Sequence, residues 1–481
     1  MSLPAASAFP ADLSSGPDDL LSGLEPAQRE VLLHDFRAQG PLLVLAGAGT
    51  GKTTVLTRRL ALECRQGHGD SILALTFTRK AAEEMRERTI ALLPEGLQPP
   101  RIRTFHSLGL AILSEEGGQG WKAAGWTDPP RLLSESELAL EFSRFWQERF
   151  RAGTPCAPSA GEWTRETARW ARPHEAQNLS WVEDWEAWEA RKRLTGIAEH
   201  HDLLAGALEA VERSESVASR WRTRARTVLV DEFQDTDRTQ YRLLKALSEG
   251  SSRLVAVGDD DQSIYGFRGA EVRNVLDWTE DHPQGRVVAL TANHRSFQPI
   301  LDAANALFPD KPPAFRKILT ARRKGPDPLP VWHRARSGRE EAAWVLDHVR
   351  QELSQGTRAR DICVLGRSHR QINDFLGEVA LPRGVEIQTI HAAKGLEWPV
   401  VFVIAQDRDA REPSELLSFA QDEERRLFYV ACTRARDRLH LSCARTRGDA
   451  AHPSPRIDHP WMRLVRPVVR PDPPWWRAWL P

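Results

Sequence analysis

The sequence between residues 46 and 54 contains the residue types that bind a triphosphate. An apolar run, Leu42–Leu45, predicts a buried strand before it, and apolar residues at helical spacing predict a helix after it. Backbone N–H groups in a turn of small residues can surround phosphate oxygens, and the helix N-terminus adds a positive dipole end. Lys52 can reach the β- and γ-phosphates, and the Thr53 hydroxyl can ligate Mg²⁺. We therefore expect ATP and Mg²⁺ to be held by the residues of this turn: Ala46, Gly47, Ala48, Gly49, Thr50, Gly51, Lys52, Thr53 and Thr54.

Two features accompany the phosphate-binding turn. Such turns usually begin with Gly six residues before the Lys, whereas this chain has Ala46 there; Gly49 and Gly51 keep the part that touches phosphate. Upstream, Gln28 could read adenine through its amide, which would donate to N7 and accept from N6. A lone glutamine is usually an ordinary surface residue, but a position just before the turn favours the adenine role.

An acidic pair follows a second apolar run, residues 227–230. A hydrophobic strand that ends in adjacent acids places both carboxylates at the end of the predicted sheet. Asp231 would then ligate Mg²⁺, and Glu232 would polarise a water molecule, as hydrolysis of a γ-phosphate requires. The pair is informative because it stands about 180 residues after the phosphate-binding turn.

Hydroxyl and aromatic side chains recur at the ends of two other predicted strands. Phe77 follows one strand, and Thr104, Phe105 and His106 follow the next. Ligands collect at this edge of open α/β sheets. Taken singly, however, Phe77 and Phe105 are better explained as aromatic residues of the core.

A polar loop follows the predicted strand at residues 254–257. It contains Gln262 and two aromatic residues, Tyr265 and Phe267, which we expect to be exposed.

Residues 114–221 lack strand signals and are rich in tryptophan and in charged helical stretches. Trp181, Trp185 and Trp188 are spaced i, i+4, i+7, which places them on one face of a helix. Such a face is more often a helix-packing core than a platform for stacking bases. We therefore predict an inserted helical domain with these tryptophans in its core.

Composition limits the class of protein. The chain has 481 residues, which predicts two to four domains, and its 66 basic and 66 acidic residues cancel, so any path for DNA must be a local groove. Five scattered Cys without a CxxC pair argue against zinc, an iron–sulfur cluster or disulfides, and suit a reducing cytoplasm. The N-terminus lacks the features of a signal peptide, and no apolar run is long enough to predict a membrane span.

Further motifs follow in order. They are residues 291–296 (TANHRS), 385–398 (VEIQTIHAAKGLEW) and 423–435 (EERRLFYVACTRA). With the motifs above, which extend from about residue 24 to 443, this set resembles superfamily 1 DNA helicases of the UvrD/Rep/PcrA type. The resemblance implies an α/β fold with two RecA-like sheets, ATP in the cleft between them and single-stranded DNA across the top of both.

The resemblance also implies roles in ATP hydrolysis. Gln262 would sense the γ-phosphate and couple it to the DNA site. Arg295 and Arg434, both on the second sheet, would close on the γ-phosphate, so that hydrolysis depends on closure of the cleft. Glu397 would accept a hydrogen bond from the ribose. His294 would stack on adenine where relatives usually carry Tyr.

The same resemblance places DNA contacts on both domains. Aromatic rings stack on bases with about 1–3 kcal/mol per base and without sequence preference, which suits a motor that steps along any strand. The matching positions are Phe77, Thr104, His106, Tyr265, Phe267 and His391.

The expected domain organisation has five parts. They are a flexible N-terminal tail (1–22), a first RecA-like domain (23–113 and 222–283), the inserted helical domain (114–221), a second RecA-like domain (284–444) and a C-terminal tail (445–481). Relatives insert a further domain before the motif at Gln388, but here only residues 376–387 are available, so that insert is missing. The tail carries Trp475, Trp476 and Trp479, which either fold onto the second sheet or bind a protein partner.

We therefore expect an ATP-dependent DNA helicase or translocase. It would move 3′→5′ on single-stranded DNA and act at DNA junctions in repair, recombination or replication, as a cytoplasmic monomer. One alternative is an ATP-gated subunit that binds single-stranded DNA within a larger complex and unwinds little by itself. A phosphotransferase is a third reading, but the motifs lack an acceptor site for it.

Overall fold

The computed structural model describes most of the chain. It covers residues 18–151, short stretches between 158 and 175, and residues 180–249, 253–309, 311–312, 315–326, 328–406, 417–447, 450–451 and 466–467.

Seventeen strands lie in the described residues. In chain order they are β1 (Leu42–Ala46), β2 (Ile72–Thr76), β3 (Arg101–Thr104), β4 (Arg131–Leu132), β5 (Ile197–Ala198), β6 (Thr227–Val230), β7 (Leu254–Gly258), β8 (Arg286–Leu290), β9 (Ala292–Asn293), β10 (Thr320–Ala321), β11 (Val331–Ser337), β12 (Ile362–Gly366), β13 (Glu386–Thr389), β14 (Trp398–Val403), β15 (Ala435–Arg447), β16 (Ala450–Ala451) and β17 (Arg466–Pro467).

The α-helices of the described residues alternate with many of these strands. They are α1 (Asp18–Leu21), α2 (Pro26–Leu32), α3 (Phe36–Gln39), α4 (Lys52–Arg65), α5 (Arg79–Ile90), α6 (Phe105–Ala123), α7 (Glu135–Arg151), α8 (Val182–Thr195), α9 (His200–Arg213), α10 (Glu215–Arg224), α11 (Arg238–Ser248), α12 (Arg273–Leu276), α13 (Trp278–Asp281), α14 (Gln298–Asn305), α15 (Gly338–Ser354), α16 (His369–Glu378) and α17 (Leu417–Cys432).

Two parallel sheets organise the molecule. The first has the order β3-β2-β6-β7-β1-β8, and the second has the order β13-β12-β14-β15-β11-β17, with β16 antiparallel to the end of β15. The inner strands are apolar and buried because helices cover both faces of each sheet. The predicted α/β class with two RecA-like sheets is confirmed.

The first sheet extends beyond the expected domain boundary at residue 283. Strand β8 pairs in parallel with β1, in the register Leu42↔Arg286. The boundary placed before residue 284 is therefore too early, because residues 286–290 complete the first sheet.

Tryptophans fill a separate core in the insertion. Trp181 is 4% exposed, and Trp185 and Trp188 are fully buried. They pack with Phe145 and Trp163, which confirms the prediction of a helix-packing face rather than a base-stacking one.

The insertion is smaller than the predicted range 114–221. Helix α6 breaks at residues 115–118, close to the expected start, but Trp121 beyond the break packs in the core of the first sheet. Helices α9 and α10 bury their apolar faces in the same core.

A buried lysine joins the insertion to this core. Lys192 of α8 is fully buried, and its Nζ lies 2.9 Å from a Glu189 oxygen, 2.8 Å from a Glu199 oxygen and 2.7 Å from an Asp202 oxygen. Its charge is therefore compensated on all sides, as a buried ammonium requires.

The structure also differs from the expected tails. Residues 18–21 form α1, and Leu20 is fully buried against Leu24 and Leu32, so the flexible tail cannot extend to residue 22. At the other end, β15 runs to Arg447 and β17 pairs with β11, so residues after 444 contribute to the second sheet. Trp475, Trp476 and Trp479 lie outside the described residues.

The predicted absence of an insert is visible in the second domain. Only residues 379–385 separate α16 from β13, and they form a turn across the sheet. Among the described residues, none of the helices has the length and apolar character needed to span a bilayer.

Candidate active site and DNA interface

The phosphate-binding turn has the predicted geometry. Strand β1 ends at Ala46, and α4 begins at Lys52. Gly51, the residue before the helix, has φ 82°, a left-handed conformation that favours glycine. The Thr50 hydroxyl donates to the Gly47 carbonyl at 2.7 Å, which holds the turn closed on itself.

Lys52 and Glu232 face each other across the first site. Their Nζ and Oε1 atoms are 3.4 Å apart. Desolvation would raise the pKa of Glu232, but Lys52, Lys394 and a 2.5 Å hydrogen bond from the Gln234 amide lower it to about 2. Glu232 is therefore an anion at neutral pH and can accept a proton or orient a water molecule.

The backbone of Glu232 is strained. Its φ of 51° lies in the left-handed region that residues other than glycine rarely adopt. Such outliers persist where the surrounding structure imposes them, and they cluster at functional sites. Here the strained turn directs the Glu232 carboxylate toward Lys52.

Asp231 is suited to bind a cation. Burial and the neighbouring charge of Glu232 raise its pKa to about 7, although Lys52 opposes the shift. Its Oδ1 accepts from the Glu232 N–H at 3.0 Å. A buried carboxylate whose negative charge is not fully compensated by nearby cations can bind Mg²⁺. Asp231 therefore fits the Mg²⁺ site expected from Asp231 and Thr53.

Arg434 of the second domain reaches the first domain. Its guanidinium is buried, and Nη2 donates to the Gln262 Oε1 at 3.1 Å. The other nitrogens donate to the carbonyls of Val430 and Leu396. Burial and the charge of Arg295 lower its pKa to about 9, so it remains a cation at neutral pH.

Arg295 is paired with Glu397 rather than free. Its Nε lies 2.5 Å from the Glu397 Oε2, and Nη1 donates to the Thr433 carbonyl at 2.9 Å. Arg436 approaches the other Glu397 oxygen at 3.7 Å. The carboxylate expected to meet a ribose thus already contacts two cations.

On the adenine side, Gln28 uses its amide within the protein. Its Nε2 donates to the Thr50 carbonyl at 2.9 Å, and its Oε1 accepts from the Glu25 N–H at 3.0 Å. Gln28 therefore holds the phosphate-binding turn, with one amide hydrogen and one lone pair left for a base. The His294 side chain is exposed beside this turn, and the backbone N–H of His294 donates to the Gly49 carbonyl at 2.9 Å.

Four of the six predicted DNA-contacting residues form one aromatic surface. Phe77 and Tyr265 stack with ring centroids 5.5 Å apart. Phe267 is 49% exposed, and its centroid is 5.3 Å from that of His391. Because His391 comes from the second domain, the surface spans both sheets.

The other two predicted DNA-contacting residues lie beside this surface. The Thr104 hydroxyl accepts from the Ser107 N–H at 3.2 Å and caps α6, which is a structural role. The ring of His106 lies 6.2 Å from that of His200. Both His106 and Phe77 line a cleft of about 410 Å³ that also contains Tyr265 and Arg268.

Several residues of the site were not predicted. Lys394 pairs with Asp235 at 2.5 Å and donates to the Gln262 carbonyl at 2.9 Å. Asn293 donates to the Ala48 carbonyl at 2.6 Å and so ties the second domain to the phosphate-binding turn. Lysine scarcity was a usable signal, since the sequence has only nine lysines and Lys394 lies inside a motif.

Comparisons with known proteins agree with this geometry. Residues 24–283 match the family described as UvrD/REP helicase N-terminal domain, and residues 288–381 and 376–446 match the UvrD-like helicase C-terminal domain. ATP-dependent DNA helicase UvrD1 of Mycobacterium tuberculosis is 33% identical over 426 residues, which cover 82% of this chain and 53% of the relative.

Other relatives show similar coverage. ATP-dependent DNA helicase PcrA of Leuconostoc citreum is 33% identical over 76% of this chain and 50% of its own length. The putative ATP-dependent DNA helicase YjcD of Bacillus subtilis is 31% identical over 72% of this chain and 48% of its own length. The chain thus spans about half the length of the curated relatives it matches.

The raised pKa of Asp231 gives a testable stability effect. Because the folded pKa of about 7 exceeds the ordinary 3.8, ionisation opposes folding, and stability falls as pH rises from the ordinary value through 7. In EDTA, Asp231→Asn should therefore raise Tm, with little gain near about pH 4 and the full gain near about pH 8. Exposed Asp128→Asn is the control. A gain that does not depend on pH, or a loss of Tm at about pH 8, would contradict this account of the site.

Proposed function

Because the chain belongs to the UvrD-like helicase family, we propose that it is an ATP-driven motor that moves along single-stranded DNA and separates duplex strands. The 3′→5′ direction, and a task at DNA junctions in repair, recombination or replication, rest on the resemblance to UvrD, Rep and PcrA helicases. The same resemblance supports action in the cytoplasm as a monomer.

One observation carries the proposal most strongly. Arg434 is a buried cation whose hydrogen-bond partners are all neutral, among the described residues. Glu232 and Glu397 attract Arg434 without forming an ion pair with it. Because burying a charge that no anion contacts is costly, an anion bound beside Arg434 would be stabilised. A γ-phosphate between Lys52 and Arg434 would supply that anion. Binding ATP would then draw the two domains together.

The chain's own residues supply the chemistry of hydrolysis. The N–H groups of the turn and Lys52 bind the phosphates, and Glu232 orients the attacking water and accepts its proton. Arg295 and Arg434 stabilise the charge that develops on the γ-phosphate. Mg²⁺, held by Asp231 and Thr53, would neutralise phosphate charge when bound.

Coupling to DNA follows from the contacts between the sites. Lys394 donates to the Gln262 carbonyl, and its Nζ lies 4.8 Å from the centre of the Tyr265 ring. A change at the γ-phosphate that moves Gln262 therefore shifts a residue that packs on the aromatic surface. The Phe77–Tyr265–Phe267–His391 surface binds bases by stacking, without reading their sequence.

Two substitutions test the catalytic assignment. Lys52→Ala should abolish DNA-stimulated ATP turnover because it removes the cation that faces the phosphates. Glu232→Gln should keep ATP affinity while the rate falls by roughly 10²–10⁴, since the amide keeps the shape but cannot accept the proton. Exposed Lys80→Ala serves as the control. Near-normal turnover in Lys52→Ala would refute the proposal, and wild-type binding of DNA with little hydrolysis would favour an ATP-gated binding subunit.

A third substitution tests the DNA surface. Affinity for single-stranded DNA should fall with salt, with a log–log slope of about −0.7 for each phosphate contacted. Phe267→Ala should cost about 1–3 kcal/mol of binding free energy and leave that slope unchanged, because it removes stacking rather than charge. Leu194→Ala, an exposed apolar residue on the insertion, is the matched control. Salt-independent affinity or strong sequence preference would contradict a stacking surface.

A further inference from the structure

Two lysines of the second domain enclose three consecutive aspartates of the first. Asp259, Asp260 and Asp261 follow β7, and all three are buried. Lys317 is buried as well, and its Nζ lies 2.9 Å from the Asp259 Oδ1 and 3.1 Å from the Asp261 Oδ2, with Asp260 also in contact. Among the residues that the structure describes, Lys311 forms ion pairs with Asp260 and Asp261 but not with Asp259. Lys317 therefore supplies the contacting counter-charge of Asp259, to which Lys52 adds a longer-range attraction.

The segment that carries these lysines also touches the phosphate-binding turn. Leu319 packs so closely on Gly47 that a Cβ there would overlap the Leu319 side chain. The Asn305 side chain of α14 holds Leu319 in place through its backbone, with hydrogen bonds of 2.8 Å and 3.0 Å. Lys311, Lys317 and Leu319 thus connect the second domain to the aspartates and to the turn.

Asp259 connects Lys317 to Gln262, the proposed γ-phosphate sensor. Its Oδ2 accepts from the Gln262 Nε2 at 2.6 Å and from the Tyr429 hydroxyl at 3.4 Å. With Nε2 fixed in this way, the Gln262 Oε1 points to Arg434 at 3.1 Å. The Tyr429 hydroxyl also accepts from the Ala48 N–H at 3.4 Å.

We propose that Lys317 is a positioning residue for the proposed ATPase: by pairing with Asp259 it fixes the orientation of the Gln262 amide toward Arg434. The inference rests on the proposed function, since it concerns how movement of the second domain reaches Gln262. A buried carboxylate without its lysine would recruit other donors or change its rotamer. The amide that depends on it would then lose its fixed direction.

Two lysines provide matched controls. Lys192 is equally buried among three carboxylates, Glu189, Glu199 and Asp202, and none of them belongs to the Asp259–Asp261 cluster. Lys192→Met therefore measures the general cost of uncovering buried acids. Lys311→Met removes the same charge from the aspartate cluster as Lys317→Met, yet it breaks no contact with Asp259.

The experiment compares the three variants with the full-length wild type. Lys317→Met should lower kcat at saturating single-stranded DNA by about tenfold or more, while KM for ATP stays within about twofold of wild type. This pattern is expected because Lys317 does not bind the substrate itself and its loss misdirects the Gln262 amide. Lys192→Met and Lys311→Met should lower Tm while their DNA stimulation stays within about twofold of wild type.

Each outcome decides the matter. Equal loss of stimulation in Lys311→Met and Lys317→Met would assign the effect to cluster charge and overturn the inference, as would retained stimulation in Lys317→Met. If Lys317→Met does not fold, the double variant Lys317→Met/Asp261→Asn is measured in its place, because it keeps the wild-type net charge of the cluster. Failure of that variant too, while Lys192→Met folds, would assign Lys317 to folding and overturn the inference.

The wild-type arm separates this inference from the proposed function. If wild-type turnover does not respond to single-stranded DNA, the proposed function itself is wrong and the inference falls with it. If wild-type turnover does respond and Lys317→Met keeps the response, only the inference is wrong.

Discussion

The cleft between the two sheets depends on the burial of one arginine. Arg434 of the second domain contacts Gln262 of the first; it is 2% exposed, and all its hydrogen-bond acceptors within the described part of the chain are neutral. A cation in that position costs folding free energy unless the surroundings are rigid and polar. The backbone carbonyls of Val430 and Leu396 and the Gln262 amide provide that environment. These three acceptors lie on α17, on the turn before β14 and on the loop after β7. The environment of Arg434 therefore exists only while these segments keep their relative positions.

The other charges of the cleft are arranged in pairs that a nucleotide could rearrange. Lys52 pairs with Glu232, and Arg295 pairs with Glu397. In each pair, a cation that would bind phosphate contacts a carboxylate that has its own expected role. Glu232 would orient water, and Glu397 would accept a hydrogen bond from the ribose. Competition of phosphate for the cations would release both carboxylates, so binding and activation would occur together. This arrangement keeps the charges compensated before a substrate arrives.

The sequence was sufficient for the fold class and for which motifs meet, because strands of a parallel sheet carry their ligands at one edge. It predicted the Trp181–Trp185–Trp188 core from helical spacing alone. It failed at boundaries, since the pairing of β8 with β1 and the packing of α9 and α10 are tertiary contacts without a local signal. The hydrogen-bond and ion-pair partners of individual side chains could not be predicted either. No spacing rule predicts that Glu397 pairs with Arg295, that Gln28 donates to the Thr50 carbonyl, or that Lys317 contacts three aspartates.

We propose that Gln262 and Arg434 act as one unit across the two domains. A double-mutant cycle on DNA-stimulated kcat tests it directly, with Gln262→Leu, Arg434→Met and the double variant compared with wild type. If the two residues act together, each single variant loses most of the stimulation and the double variant is little worse than either. If the losses multiply, the residues act independently, and the contact between the domains does not carry the coupling.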